Sequence, residues 1–269
     1  MCRLYGLQAT HPTRPASDLI DAQNSLIRQS REDERGLSNP HGWGVGIVTN
    51  GAVRCERQVG PASESADFRA KVLQAEGSAI VAHVRRATIG TPSHENTHPF
   101  RDGDALLMHN GHIEAFDTVR SKILDTLPDD RARAIRGDTD SEHFFQLLRA
   151  RQDEAPDRSR AAILKEAIQD VLAWSEANQP EAEVALNVLW VDDRRIVGSR
   201  LNRSLWYRRR EAPYICPNTG RHHANPPAGE SYRAYVVASE RITDEDWTEI
   251  PSSSVFEITN DMSFEVESI

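Results

Sequence analysis

Apolar residues recur along this chain at two spacings, every second position in some stretches and every third or fourth in others, and the change of spacing marks its elements. Cys2 to Ala9 reads as a strand, with Leu4 alternating against Arg3 and Tyr5, and Pro12 and Pro15 break it. Ser17 is placed to cap a helix that carries Leu19, Ile20, Leu26 and Ile27 on one face. Arg31 to Pro40 is charged and then turn-rich, hence a loop. In His41-Gly-Trp-Gly-Val-Gly46, three glycines around Trp43 lead into Ile47-Val48, which predicts a strand whose backbone lies close to something else. A turn and another strand follow it with no helix, so the glycines are not a phosphate cradle. Asn50-Gly51 supplies a hairpin turn into Ala52 to Val59. Pro61 to Gly77 reads as a helix with Phe68 and Val72 four apart and Gly77 as its stop.

Ser78 to Val84 is nearly all apolar, as a strand covered on both faces would be. Arg85 to Phe100 has no apolar period and reads as a functional loop, and Ala105 to Met108 is a short strand running into His109-Asn110-Gly111. Helical spacing returns at Phe116, Val119, Ile123 and Leu127, then over Ser141 to Arg151 and over Arg158 to Asn178. Strict alternation predicts a strand from Val184 to Trp190, turned at Asp192-Asp193 into Arg195 to Arg200. Further strands are expected at Leu205 to Arg208 and Tyr232 to Ser239, with a hairpin of Val255 to Ile258 and Phe264 to Val266 closing the chain. Strands, then helices, then strands joined by hairpins favour an α+β fold of antiparallel sheets with segregated helices. No linker or repeat is visible, so residues 1–269 are expected to form one domain.

Composition narrows the function. The chain has 41 acidic against 32 basic residues, and a net charge of −9 argues against general nucleic-acid binding. Cys2, Cys55 and Cys216 are odd in number and far apart, so no disulfide framework is expected and a reducing, cytoplasmic setting is the simpler reading. No apolar run approaches membrane-span length, and no partner membrane is expected.

The candidate chemistry starts at Cys2. With Met1 removed, this residue carries a thiol and a free α-amino group on one carbon, a nucleophile with a base beside it. The plainer alternative is a small buried residue on the first strand. A thiolate that adds to an amide carbonyl makes an oxyanion, and Asn110-Gly111 offers a side-chain amide and a close backbone N–H to hold it; the same dipeptide also reads as an ordinary turn. Arg85 can clamp a carboxylate through two parallel bonds, with Thr88 and His98 as further donors in its loop, or it is a surface arginine at a strand end. Asp138, in Gly137-Asp-Thr-Asp140, can hold an ammonium group or cap the helix that follows. Together these groups describe a pocket for an α-amino acid whose side chain carries an amide, as glutamine or a γ-glutamyl amide does.

In that combination the chain resembles class II glutamine amidotransferases, of the N-terminal-nucleophile hydrolase superfamily. Cys2-Arg3-Leu4, Asn39-Pro-His-Gly-Trp-Gly-Val-Gly46, His83-Val-Arg85-Arg-Ala-Thr88, Asn96-Thr-His98-Pro99, His109-Asn-Gly111 and Gly137-Asp-Thr139 look like that family's motifs in its order. Ser239-Glu-Arg-Ile-Thr-Asp-Glu-Asp-Trp247 looks like the stand-alone members, among them the γ-glutamyl amidohydrolases of ergothioneine synthesis. The resemblance implies a four-layer αββα sandwich. It implies Cys2 as nucleophile after Met1 removal, Asn110 and Gly111 as oxyanion hole, Arg85 and Thr88 on the substrate carboxylate, and Asp138 on its ammonium. It implies a small γ-glutamyl substrate, a thioester intermediate and no cofactor. Arg86 and Ile89 stand where synthase-linked members often have Trp and His, a departure at the rim of the pocket.

Other functions draw on the same residues. A glutaminase subunit would deliver ammonia to a separate synthase partner. A non-catalytic binding protein would keep the pocket and retain Met1. Cys216, His222, His223 and His112 are candidate metal ligands, but adjacent histidines point apart in a strand and no paired metal spacing is present, so no metal is expected.

Overall fold

A computed structural model describes residues 2–49, 51–193 and 195–269. Two antiparallel sheets lie face to face. The first contains β1 (Arg3–Thr13), β2 (Gly42–Thr49), β3 (Ala52–Gln58), β4 (Gly77–Arg85), β9 (Trp206–Arg210), β10 (Ala234–Ala238) and β11 (Thr248–Glu249), in the order β11-β9-β10-β1-β4-β2-β3. The second contains β5 (Phe100–Asp102), β6 (Ala105–Ile113), β7 (Val184–Asp192), β8 (Arg195–Arg200), β12 (Ser254–Ile258) and β13 (Phe264–Ser268), in the order β13-β12-β8-β7-β6-β5. The helices α1 (Leu26–Arg31) and α2 (Ala66–Gln74) cover the first sheet, and α3 (Phe116–Thr126), α5 (Asp140–Glu154) and α6 (Arg160–Glu176) cover the second, with the short α4 (Asp129–Ala134) beside α5.

Side-chain alternation sorts the strands into three apolar layers. Tyr5, Leu7, Val45, Ile80, Ala82 and Val236 meet Leu19, Leu26, Phe68 and Val72 on the outer face of the first sheet. Leu107, Leu186, Val188, Trp190 and Val197 meet Phe116, Phe144, Leu148, Leu164 and Ile168 on the outer face of the second. Leu4, Val81, Leu106, Met108, Leu189, Ile196 and Val237, with no helical residue, fill the space between the sheets. The result is the four-layer αββα sandwich.

The glycines of β2 occupy the inward positions, because Trp43, Val45 and Ile47 face outward. A Cβ at Gly42 would meet Thr97 Oγ1 at 2.9 Å, and one at Gly44 would meet the His98 carbonyl oxygen at 2.1 Å. The backbone that the sequence requires to lie close is therefore segment 97–99.

Several elements differ from the sequence expectation. β1 continues through Pro12 to Thr13, because its pairing with β4 is interrupted between Gln8 and Thr13 and proline removes no ladder donor there. The helix expected from Ser17 is broken into a π-turn (Ser17–Asp21) and α1; Ser17 makes no cap. α2 starts on Ser65, whose hydroxyl accepts the Phe68 N–H, and ends at Gln74, so Gly77 opens β4 instead of stopping the helix. α4 and β11 were not expected. The Asn50-Gly51 turn includes Asn50, which lies outside the described residues.

Candidate active site

The alternation that builds the core also selects the site. Leu4 faces the inter-sheet layer, so Cys2, two residues earlier, points the same way; Val81 does so on β4, and hence His83 and Arg85; Met108 does so on β6, and hence Asn110; Val237 does so on β10, and hence Ser239. Direct bonds join these positions across the two sheets. Ser239 Oγ accepts the Leu4 N–H at 3.0 Å and an Nδ2–H of Asn110 at 3.1 Å. His83 Nε2 lies 3.1 Å from the His109 carbonyl oxygen.

Cys2 Sγ accepts the Arg86 N–H at 3.3 Å and lies 3.4 Å from the Arg86 carbonyl oxygen. Burial pushes its thiol pKa up, opposed by the Arg86 N–H and the Arg85 charge. Behind the thiol, Arg3 faces the other side of β1. Its Nη1 donates to the Cys2 carbonyl at 2.9 Å, its Nη2 pairs with Asp33 at 2.7 Å, and its Nε pairs with Glu240, all in the interior. The backbone at position 2 is thus held by a buried ion cluster.

Asn110-Gly111 lies inside β6, paired with Asn187 and Leu186 of β7, so the ordinary-turn reading is excluded. A Cβ at Gly111 would sit 1.9 Å from the Ala185 carbonyl oxygen, which explains glycine in a strand interior.

The arginine is folded back on its own loop. Arg85 Nη2 donates to the Ile89 and Gly90 carbonyls at 2.9 and 3.1 Å, and Nη1 to the Thr91 carbonyl at 3.1 Å. Only 2% of Arg85 and 9% of Cys2 are exposed, so the loop covers the thiol. Desolvation lowers the Arg85 pKa, against the pull of Cys2 and Asp140. Thr88 and Asp138 are exposed on the covering loops. Asn96 ties those loops together: its Nδ2 donates to the Thr91 carbonyl at 3.1 Å and its Oδ1 accepts the Asp138 N–H at 2.8 Å. The cap of α5 is Thr139, not Asp138. His98 is buried, its ring 4.2 Å from His83 and 4.6 Å from Phe100, with neither ring nitrogen bonded among the described residues. Burial and the nearby His83 hold its pKa well below the usual histidine value.

The structure therefore brings Cys2, Arg85, His98 and Asn110 into the interior and leaves Thr88 and Asp138 on the lid. Sequence reasoning missed Asp33, and it named Arg3, His83, Asn96, Ser239 and Glu240 only within motifs, with no role for any of them; the polar side chains at 83 and 239, closing apolar strands, were the available signal. The candidate metal residues behave otherwise: His223 packs on Tyr214 and Arg210 with Asp18, and His222 is exposed. Among the described residues no three His, Cys, Asp or Glu side chains are gathered as a metal site, and no helix is long and apolar enough to cross a membrane.

The profile of the family described as glutamine amidotransferases class-II matches residues 1–261. The chain belongs to that family. It is an enzyme of the class II glutamine amidotransferase-like amidohydrolase kind. The probable glutamine amidotransferase DUG3 of Saccharomyces cerevisiae is 29% identical over 96% of this chain and 82% of its own length. The γ-glutamyl-hercynylcysteine sulfoxide hydrolase of Mycobacterium tuberculosis is 34% identical over 42% of this chain and 50% of its own length. Among solved structures, a glutamine aminotransferase class-II domain protein from Silicibacter pomeroyi superposes with a TM-score of 0.67 at 19% identity, over 99% of both chains. The glutamine phosphoribosylpyrophosphate amidotransferase of B. subtilis superposes with a TM-score of 0.65 at 15% identity, over 99% of this chain and 49% of that one. Both confirm the fold expected for class II glutamine amidotransferases.

Proposed function

We propose that this amidotransferase-family enzyme hydrolyses the side-chain amide of a γ-glutamyl amide, with Cys2 as an N-terminal nucleophile once Met1 is removed. The observation that carries the proposal is the convergence of the Cys2 thiol and the Asn110 amide in one inter-sheet layer, tied together through Ser239 and Leu4. Because burial favours the neutral thiol, a base is required, and the α-amino group of Cys2, with an ordinary pKa of about 8, is the nearest one. The amine takes the thiol proton, directly or through water, as sulfur adds to the γ-carbonyl. Asn110 Nδ2 and the Gly111 N–H hold the oxyanion. Collapse passes the proton to the leaving nitrogen and leaves a γ-glutamyl thioester. Water then attacks the thioester and releases glutamate.

The remaining assignments follow charge. Arg85 exchanges its carbonyl partners for the substrate α-carboxylate when the loop opens, with Thr88 and His98 as further donors. Asp138 takes the α-ammonium. The reading needs no cofactor, treats residues 1–269 as one catalytic unit and puts the enzyme in the cytoplasm, where free thiols persist. A γ-glutamyl amide is preferred over glutamine because the relatives include a γ-glutamyl hydrolase. The glutaminase reading, with ammonia passed to a separate synthase, draws on relatives that carry more chain than this one.

Glutamate release from L-glutamine and a set of γ-glutamyl amides, together with the intact mass of the active protein, tests this. Release that is abolished by Cys2→Ala and lowered about 10²–10³-fold by Asn110→Ala is expected. Release that persists in Cys2→Ala, or full activity with Met1 retained, would sink the mechanism. Faster release from glutamine than from every other amide, with a copurifying synthase, would favour the ammonia-delivering subunit.

A further inference from the structure

Ser239, the first residue of the Ser239–Trp247 segment, carries a hydroxyl that touches both halves of the proposed site, and the resemblance gives it no role. The residue follows β10 in the first sheet and is fully buried. Its backbone is pinned on two sides, by the bond from its N–H to the Leu4 carbonyl at 3.1 Å and by the Ser204 hydroxyl on its own carbonyl at 2.9 Å. Its Oγ is therefore set by the fold. That oxygen accepts the Leu4 N–H, two residues from the thiol, and an Nδ2–H of Asn110 from the opposite sheet.

An Asn side chain offers an amide nitrogen at one end and a carbonyl oxygen at the other. Only the nitrogen stabilises an oxyanion; the oxygen would repel it. The bond to Ser239 fixes the plane of the Asn110 amide and holds its nitrogen on the side of β1. One Nδ2–H is occupied, and the second remains in the same fixed plane for the developing charge. Asn110 Oδ1 has no bonded partner among the described residues, so the bond to Ser239 is the side-chain contact there that holds the amide in its plane. We propose that Ser239 is the positioning residue of the oxyanion hole, holding the plane in which the Asn110 amide nitrogen meets the reacting carbonyl and setting the spacing of that amide from the nucleophile strand. The inference rests on the reading of Asn110 as oxyanion donor.

A labelling cycle tests it without knowledge of the natural substrate. The probes are 6-diazo-5-oxo-L-norleucine, which presents a carbonyl where the γ-amide carbonyl would lie, and iodoacetamide, whose alkylation reports the thiol alone. Rates of Cys2 modification are followed by intact mass for wild type, Ser239→Ala, Asn110→Ala and the double variant. Ser239→Ala is expected to slow the diazoketone about tenfold and leave iodoacetamide unchanged. The double variant is expected to match Asn110→Ala, since a residue that acts through Asn110 has nothing left to position. Ser239→Thr, which keeps the oxygen, is expected to stay within about threefold of wild type. A Ser239→Ala effect that persists in full on the Asn110→Ala background, or that slows both probes alike, would overturn the positioning role and leave the Asn110 assignment intact. An Asn110→Ala rate equal to wild type with the diazoketone would overturn the oxyanion assignment, and this inference with it.

Discussion

A single hydrogen atom on a β2 glycine decides where the loop that covers the thiol can sit. At Gly44 a Cβ would meet backbone on two sides, the His98 carbonyl oxygen at 2.1 Å and the Glu56 carbonyl oxygen at 3.0 Å, and neither can turn away. At Gly46 the obstacles are the ends of side chains, Leu106 Cδ1 at 2.5 Å and Val81 Cγ2 at 2.9 Å, which can change rotamer. Gly44→Ala is therefore expected to cost about 3 kcal/mol and Gly46→Ala about 1 kcal/mol, read by urea unfolding. Gly44→Ala also moves His98 away from His83, so activity is expected to fall beyond what the stability change explains. Equal costs at the two positions would show that segment 97–99 is not seated on β2. The need for a close backbone was legible in the alternating glycines. The segment that fills the space was not, since a sequence names the vacancy and not its occupant.

At the level of elements, strands were easier to read than helices. Alternation in β1, β4 and β7 has one cause, burial on a pleated face, and the apolar pattern reports it directly. The helix expected across residues 17–27 failed for a physical reason: both of its pieces bury against the same sheet face, so the one-sided pattern runs on across a break at 22–25. In the site, the residue types were legible and the architecture was not. Asn110-Gly111 has the composition of a turn and only its pairing with β7 makes it strand. Ser239 reaches partners 235 and 129 residues away, and no spacing rule spans such separations. The same limit hid the contacts of Asn96, which joins the loop folded around Arg85 to the loop carrying Asp138. Asn96→Ala leaves both loops their own backbone but uncouples them. The KM for a γ-glutamyl amide is expected to rise about tenfold while kcat stays within about threefold, because substrate capture is lost and the thiol and oxyanion strands are untouched. A fall in kcat at constant KM would show instead that Asn96 acts on the chemistry.

At the scale of the whole molecule, the two sheets enclose histidines that the fold keeps neutral. His83, His98 and His109 are all buried, and burial lowers the pKa of each, partly offset at His109 by Asp140. For His83 the folded value is about 3, against 6.5 when unperturbed. The unfolded chain therefore binds a proton at this residue between those limits and the folded chain does not. Stability from the neutral ring is complete above pH 6.5 and is lost as pH falls toward 3. At pH 5 the loss from His83 alone comes to about 2 kcal/mol, or about 4–8 °C in the unfolding midpoint of a chain of this size. The buried carboxylate of Asp18 acts in a separate window. Asp18, held ionised by Arg210 and His223 despite its burial, is driven below its ordinary 3.8 and weakens the fold only in stronger acid. Thermal midpoints measured by circular dichroism are thus expected to fall between pH 7 and 5, and the slope is expected to shrink in His83→Gln. That variant keeps a side chain able to donate to the His109 carbonyl but has no proton to gain. A flat midpoint over this range would mean that the space between the sheets takes up protons without strain. The lid over Cys2 would then be looser than its bonds to Arg85 imply, because Arg85 is the cation nearest in sequence to a protonated His83 and the first group its charge would push away.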